Sequence, residues 1–325
     1  MVSLIASAIG FMPFFLFGCT GEIITEKSGH LNLGIPGIIC AGGAGGCLAV
    51  SLYTSTLNGA APNYILLILL SIIGAAILAG LLGAIYAFLT VSLKCNQNIS
   101  GLALTTFGTG LTQFVMKNFV DKLGGVSAAS TLFKYTLPFA NSLGWFGQIF
   151  LNHGILIYVA VAIAIITAYI LKKTKVGLHL RAIGENPAAA DAVGIKVDRY
   201  KYLAILIGSA IAGQAGSFFI LDYIQGGYDS YYIMESLGWL SIALVIFTLW
   251  KPNFAIFGSI LFGALYILPN ANIIASITAQ TALKKLIELI PYVVTVLVLL
   301  GISISGSKLA QPPASLGVNY FREDR

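Results

Sequence analysis

Three long stretches of this chain carry no charged side chain: residues 28–93, 135–171 and 252–283 contain no Asp, Glu, Lys or Arg. A helix needs about 20 consecutive, mainly apolar residues to cross the hydrocarbon of a bilayer. Each gap therefore holds at least one crossing. Composition agrees, since 58% of the 325 residues are hydrophobic and 9% are charged, against about a quarter charged in ordinary globular chains. Water cannot be the main solvent.

Gly, Pro, Asn and charged segments divide the apolar sequence into about nine candidate spans, near residues 1–20, 34–56, 63–93, 98–117, 150–171, 201–221, 237–250, 254–269 and 288–306. The seventh is short for a crossing, and 271–283 is an extra apolar stretch. The first span lacks a basic leader and a cleavage site, so it reads as a retained helix rather than a signal peptide. No linker, low-complexity tract or charge block marks off a soluble part. The expected fold is an all-α, polytopic transmembrane bundle with broken helices, a single membrane domain over residues 1–325.

Basic residues collect in cytoplasmic loops. The loop at about 172–200 holds Lys172, Lys173, Lys175, Arg181, Lys196 and Arg199, with Lys201 just beyond. Alternating outward from it puts thirteen of the 18 Lys and Arg residues inside, with only Lys117, Lys122, Lys134, Lys284 and Lys285 outside. The N-terminus is then external, the tail 307–325 cytoplasmic, and the loop at about 118–149 extracytoplasmic, with room for a short interfacial helix. The net charge of +6 follows from topology and calls for no nucleic-acid partner. Cys19, Cys40, Cys47 and Cys95 lack metal or redox spacing and read as packing residues.

Four segments carry further information. Residues 21–47 run from a polar segment into a helix with Pro36 and the glycines Gly42, Gly43, Gly45 and Gly46; these predict a kink at membrane depth or close helix approach. Residues 171–202 can present a small helix from about Pro187 to Val193, capped by Asn186, or form only a solvated basic loop. In residues 235–266, Gly238 and Trp239 open an apolar helix, Trp239 reading as an interfacial anchor, and Lys251-Pro252-Asn253 turn the chain into the next. Residues 94–114 place Asn96, Gln97, Asn98, Ser100, Thr105, Thr106, Thr109, Thr112 and Gln113 on one short span, where they line an aqueous cavity or bond between helices. Neutral polar groups with nearby aromatics suit an uncharged, ring-containing solute better than an ion.

No enzyme constellation emerges. His30, His153 and His179 are far apart, no span carries paired carboxylates, and no GxxxxGK[ST] phosphate loop occurs. The expected spans carry essentially no acid or base, which also speaks against proton- or sodium-coupled transport.

GEIITEKSGHLNLGIPG, CNQNISGLAL, GENPAAADAVGI and GWLSIALVIFTLWKPNFAIFGSILFGALY, in that order, resemble four motifs of the membrane permeases of bacterial ABC importers for nucleosides, simple sugars and branched-chain amino acids. Length and the NQNISGLAL variant look most like the shorter of two unlike permeases in nucleoside-type importers. The resemblance implies an inner-membrane, multi-pass subunit working with a second, unlike permease, cytoplasmic ATPases that bind ATP and Mg, and a substrate-binding lipoprotein or periplasmic protein. It implies no cofactor, metal or catalytic residue in this chain. Carried onto this sequence, Gly184, Glu185, Asn186, Pro187, Ala190, Asp191 and Gly194 form an ATPase-coupling helix. Asn32, Asn96, Asn98, Thr105, Thr106, Thr109 and Gln113 then line the solute pathway between the two permeases. His30 stands where the family usually has an aliphatic residue, and Thr105-Thr106 where Asn is common. Nucleosides lead as solute, with riboflavin and then simple sugars as alternatives; an ion-coupled carrier is the alternative of another class.

Overall fold

A computed structural model describes residues 2–57, 60–136, 143–270, 286–305 and 311–321, and every regular element among them is helical. The helices are α1 (Val2–Lys27), α2 (Ile35–Thr56), α3 (Tyr64–Ala87), α4 (Gln97–Val115), the short α5 (Asp121–Leu123), α6 (Val126–Ser130) and α7 (Gly144–Phe150), then α8 (Ile155–Lys173), α9 (Lys175–Glu185), α10 (Pro187–Ala192), α11 (Val197–Ser217), α12 (Tyr232–Phe247), α13 (Pro252–Ile267) and α14 (Ile290–Ser305). Each of the nine expected spans coincides with a helix. Five of these, α1, α2, α8, and α3 and α11 with their extensions, are long and apolar enough to cross a membrane; α12 and α13 are shorter apolar helices. The extra apolar stretch 271–283 lies outside the described residues, as do Lys284, Lys285, Lys308, Arg322 and Arg325.

Three expectations need correction. Pro36 does not kink α2, because it sits in the first turn, where its missing N–H falls among donors that lack intrahelical partners anyway. Departures from α geometry occur instead as π-helical segments, Phe88–Ser92, Met116–Val120 and Phe218–Tyr223, ending α3, α4 and α11. Trp239 lies midway along α12 and packs against the core; the helix opens at Tyr232, and Trp250 is the fully enclosed tryptophan of this region. Finally, α1 does not stop near residue 20 but runs to Lys27, so Glu22 and Glu26 lie inside a span and are buried.

The bundle is built around α2 and α1. The first packs on α3, α4, α11 and α12, the second on α8, α11, α12 and α13. Two apolar environments of equal polarity offer little hydrophobic gain on association, so close backbone approach must supply it. Gly42 of α2 meets Gly213 of α11: a Cβ at Gly42 would land on the Gly213 backbone, 2.6 Å from its carbonyl carbon. In the first half of α1, Phe11 stacks on Tyr266 of α13 at 4.2 Å and meets Tyr223 edge-on at 4.6 Å, geometries that suit the aromatic quadrupole.

Replacing Gly42 by Val should therefore force α2 and α11 apart. Overpacking of this kind costs about 1–3 kcal/mol, which corresponds to a fall of roughly 5 °C in the melting temperature of the detergent-solubilised protein. Gly80→Ala, where an added Cβ meets nothing within 4 Å, should leave melting unchanged. Equal melting of the two variants would refute the close-approach account.

Candidate functional site

Between α1 and α2 the chain makes a non-helical turn, residues 28–34, much of it buried. Backbone groups hidden from water need partners, and side chains from α1, α3, α4 and the turn itself provide them. Glu22 accepts from the Asn32 amide at 3.0 Å, Gln97 Oε1 from the Leu31 amide at 2.9 Å, and Asn32 Oδ1 from the Gly34 amide at 2.9 Å. Tyr86 donates to the Leu31 carbonyl at 2.7 Å and Thr105 to the Leu33 carbonyl at 2.8 Å. One helical turn beyond Glu22, Glu26 accepts from the indole N–H of Trp250. Buried carboxylates are tolerable when such donors reach them. The expectation of acid-free spans is thus corrected, and with it the sequence reasoning against ion coupling: polar residues that resembled a loop continue a helix because the turn needs them.

Helix α4 sorts its polar side chains onto two sides. Thr105, Thr109 and Thr112 are buried, and the last two bond to the carbonyls of Thr106 and Gly108. Asn98, Thr106 and Gln113 are exposed, lie within about 80° of one another at 100° per residue, and form a neutral polar stripe that also holds the exposed Leu102. Beside it runs an apolar stripe with Ile99, Phe107 and Phe114 exposed. Of the seven candidate pathway residues, Asn98, Thr106 and Gln113 thus share one open face, and Thr109 falls within the same arc but is buried. Asn96 caps the helix, accepting from the Ile99 amide at 3.1 Å. Asn32 and Thr105 face inward onto the turn.

The coupling candidates are contiguous. Asn186 caps α10 by accepting from the Ala189 amide at 3.0 Å, Pro187 occupies the first turn, and Gly194 with φ of 86° follows the helix; a positive φ there suits glycine. Ala190 is buried against Ile183 and Val197, and Glu185 is exposed. Gly184 packs where a side chain would strike the Lys27 carbonyl, so the end of α9 lies directly on the end of α1.

Sequence reasoning missed the segment that binds these pieces together. Ser315 donates from its amide and its hydroxyl to the Gly184 carbonyl, at 2.9 and 2.6 Å, and the Gly317 amide donates to the Gly29 carbonyl at 3.1 Å. Asn319 accepts from Gln97 at 3.1 Å and donates to the carbonyls of Lys94 and Cys95 at 2.6 and 3.1 Å. Tyr320 donates to Asp191 at 2.8 Å. Residues 315–320 thus strap α10, the 28–34 turn and the start of α4 into one assembly. The only sequence signal was a short polar stretch after the final span.

Two features remain. His30 is buried with neither ring nitrogen paired; burial, then the positive charges of Lys201 and Lys94, hold its pKa well below the usual imidazole range. At the other end of the bundle Asp222, another buried carboxylate, borders a cavity of about 500 Å³ with Lys134 and His153. Among the described residues no group of three His, Cys, Asp or Glu gathers closely enough to hold a metal ion.

Comparison with known proteins adds a family match: the family described as branched-chain amino acid transport system / permease component covers residues 3–303. A putative glucose ABC transporter permease of Haloferax volcanii is 30% identical over 93% of this chain and 92% of its own length. A nucleoside ABC transporter permease of Lactococcus lactis is 28% identical over 98% of this chain and 96% of its own. A guanosine ABC transporter permease of Bacillus subtilis is 27% identical over 94% and 92% respectively. No solved structure matches the chain.

The His30 environment makes stability depend on pH. Its folded-state pKa is lowered from 6.5, so below that pH the unfolded chain takes up a proton that the folded chain refuses. Its contribution is intact above about 6.5 and is lost as pH falls further. Relative to His30→Met, the unaltered protein should therefore lose melting temperature between pH 7 and pH 5, with the variant melting no lower at pH 7. Parallel pH profiles for the two proteins would contradict this.

Proposed function

The chain belongs to the family of branched-chain amino acid transport system permease components, and from this we propose that it is the membrane-spanning subunit of an ABC importer that carries nucleosides into the cell. The observation that carries the choice of solute is the open face of α4, where Asn98, Thr106 and Gln113 run beside Phe107 and Phe114. Amide and hydroxyl groups match the ribose hydroxyls and base edges of a nucleoside, and flat phenyl faces match its ring. No charged side chain stands on this face between Asn98 and Phe114, as suits a neutral solute. The nucleoside and guanosine permeases among its relatives support the same choice; the glucose relative supports a simple sugar as the second reading.

In this proposal α4 faces a second permease across the pathway, with the N-terminus external and the 172–200 loop and the tail cytoplasmic, as the distribution of Lys and Arg favours. Helix α10 docks on a cytoplasmic ATPase, which supplies the ATP and Mg chemistry. A binding protein delivers the solute from outside. Closure of the ATPases moves α10, and because Asp191 is tied to Tyr320 and Asn319 to Gln97 at the start of α4, the displacement reaches the pathway helix through bonded groups.

ATP-dependent uptake into proteoliposomes holding this chain with its co-purified partners tests the proposal. Labelled guanosine should accumulate, while glucose and riboflavin should not; glucose uptake would replace nucleoside by sugar, and riboflavin uptake by flavin. The double variant Thr106→Val, Gln113→Leu should lower guanosine uptake about tenfold, the effect of losing roughly 1–3 kcal/mol of solute hydrogen bonding, with assembly intact.

Charge reversal at the coupling loop tests the second half. Glu185→Lys or Asp191→Lys should leave the spans folded yet cut uptake at least about tenfold per ATP hydrolysed, or release the ATPase during purification. Unchanged uptake and unchanged co-purification would remove α10 from the coupling role.

A further inference from the structure

Helices α8 and α11 both lean on α1 but scarcely meet each other, and a groove of about 1030 Å³ runs between them. Ile24 of α1 contributes to its floor, Ile166 and Ile170 of α8 face Leu203 and Ile207 of α11, and Leu180 of α9 lies at one end. These four wall residues are at least 39% exposed. A void of this size between spanning helices would forfeit dispersion contacts along its whole lining unless something apolar filled it.

The ends of the groove differ. Lys196 and Arg199 line it at the charged end, where His179 accepts from or donates to the Tyr200 hydroxyl at 2.7 Å. Among the described residues no carboxylate lines it. The neighbouring Asp198 pairs with Lys94 at 3.5 Å, and Lys196 and Arg199 make no ion pair among the described residues. Lys172, Lys173 and Lys175, where α8 passes into α9, add positive charge at the same level. From Lys196 to Ile211, both lining residues, the groove extends about 22 Å at the helical rise, enough to pass from the headgroup level beyond the ~15 Å half-thickness of the hydrocarbon.

We propose that this groove binds one anionic phospholipid of the bilayer, with an acyl chain between α8 and α11 and the phosphate at Lys196 and Arg199. Basic pockets between spanning helices select anionic headgroups in this way, and the exposed apolar walls exclude a purely soluble ligand. The assignment is independent of the solute carried. It places a lipid beside α9, the helix that leads into the coupling loop.

The test uses the complete importer complex carrying Ile207→Trp, reconstituted in phosphatidylcholine vesicles containing either phosphatidylglycerol or further phosphatidylcholine with brominated acyl chains. Quenching beyond that of the same complex without the Ile207→Trp change reports occupancy of the groove. Brominated phosphatidylglycerol should quench at about a tenfold lower mole fraction than brominated phosphatidylcholine. Lys196→Gln with Arg199→Gln should bring the two lipids to parity, while Lys251→Gln should keep the preference. Should Ile207→Trp fail to fold, native mass spectrometry of the otherwise unaltered complex, with and without the Lys196 and Arg199 changes, reads retained phosphatidylglycerol directly. Equal quenching by both lipids, a preference that survives the double change, or a preference present in the isolated chain but absent from the complex would overturn the proposal. The last result would mark the groove as a seat for a partner subunit.

Discussion

A non-helical turn buried in a membrane protein must satisfy every backbone N–H and C=O without water, and the 28–34 turn imposes that demand on everything around it. Glu22 is in α1 because the Asn32 amide needs an acceptor, Gln97 begins α4 because the Leu31 amide needs another, and Tyr86 and Thr105 supply hydroxyls for the two carbonyls between them. Each is a polar residue that looks misplaced in its own helix. Together they fix the relative positions of α1, α3 and α4 at one end of the bundle. The glycine seam between α2 and α11 then operates as packing on a frame already set.

This division explains what was legible in the sequence. Charge-free gaps mark the spans because burying a charge in hydrocarbon is expensive, and each expected span has its helix. The α10 cap was equally legible, since Asn186 followed by Pro187 is a local signal that needs no tertiary knowledge. What failed to show was anything settled by distant partners. Glu22 and Glu26 look like loop residues until Asn32 and Trp250 are seen to reach them. Likewise the threonines of α4 have helical spacing, yet spacing cannot reveal that Thr105 turns inward to the Leu33 carbonyl while Thr106 turns out.

The two sides of the molecule also part company. The α4 face offers neutral hydrogen-bonding groups beside phenyl rings, whereas the α8–α11 side offers aliphatic walls below a basic rim. In a bundle both must be covered, the first by something polar and shaped, the second by something apolar and plentiful. On the proposed function the first is the solute side and the second the lipid side, with α1 and α2 packed between them.

The strap at residues 315–320 has a consequence for biogenesis. Contacts between Gly29 and Gly317, or Gln97 and Asn319, join positions separated by more than two hundred residues, so they form only after residues 317 and 319 have left the ribosome. Until then the Gly29 and Gly184 carbonyls lack these donors, and the charged ends of the spans stay incompletely knitted. The helices are therefore made before this end of the bundle can close: a chain stopped ahead of residue 315 carries all the spans of the core yet leaves the Gly29 and Gly184 carbonyls without their strap donors.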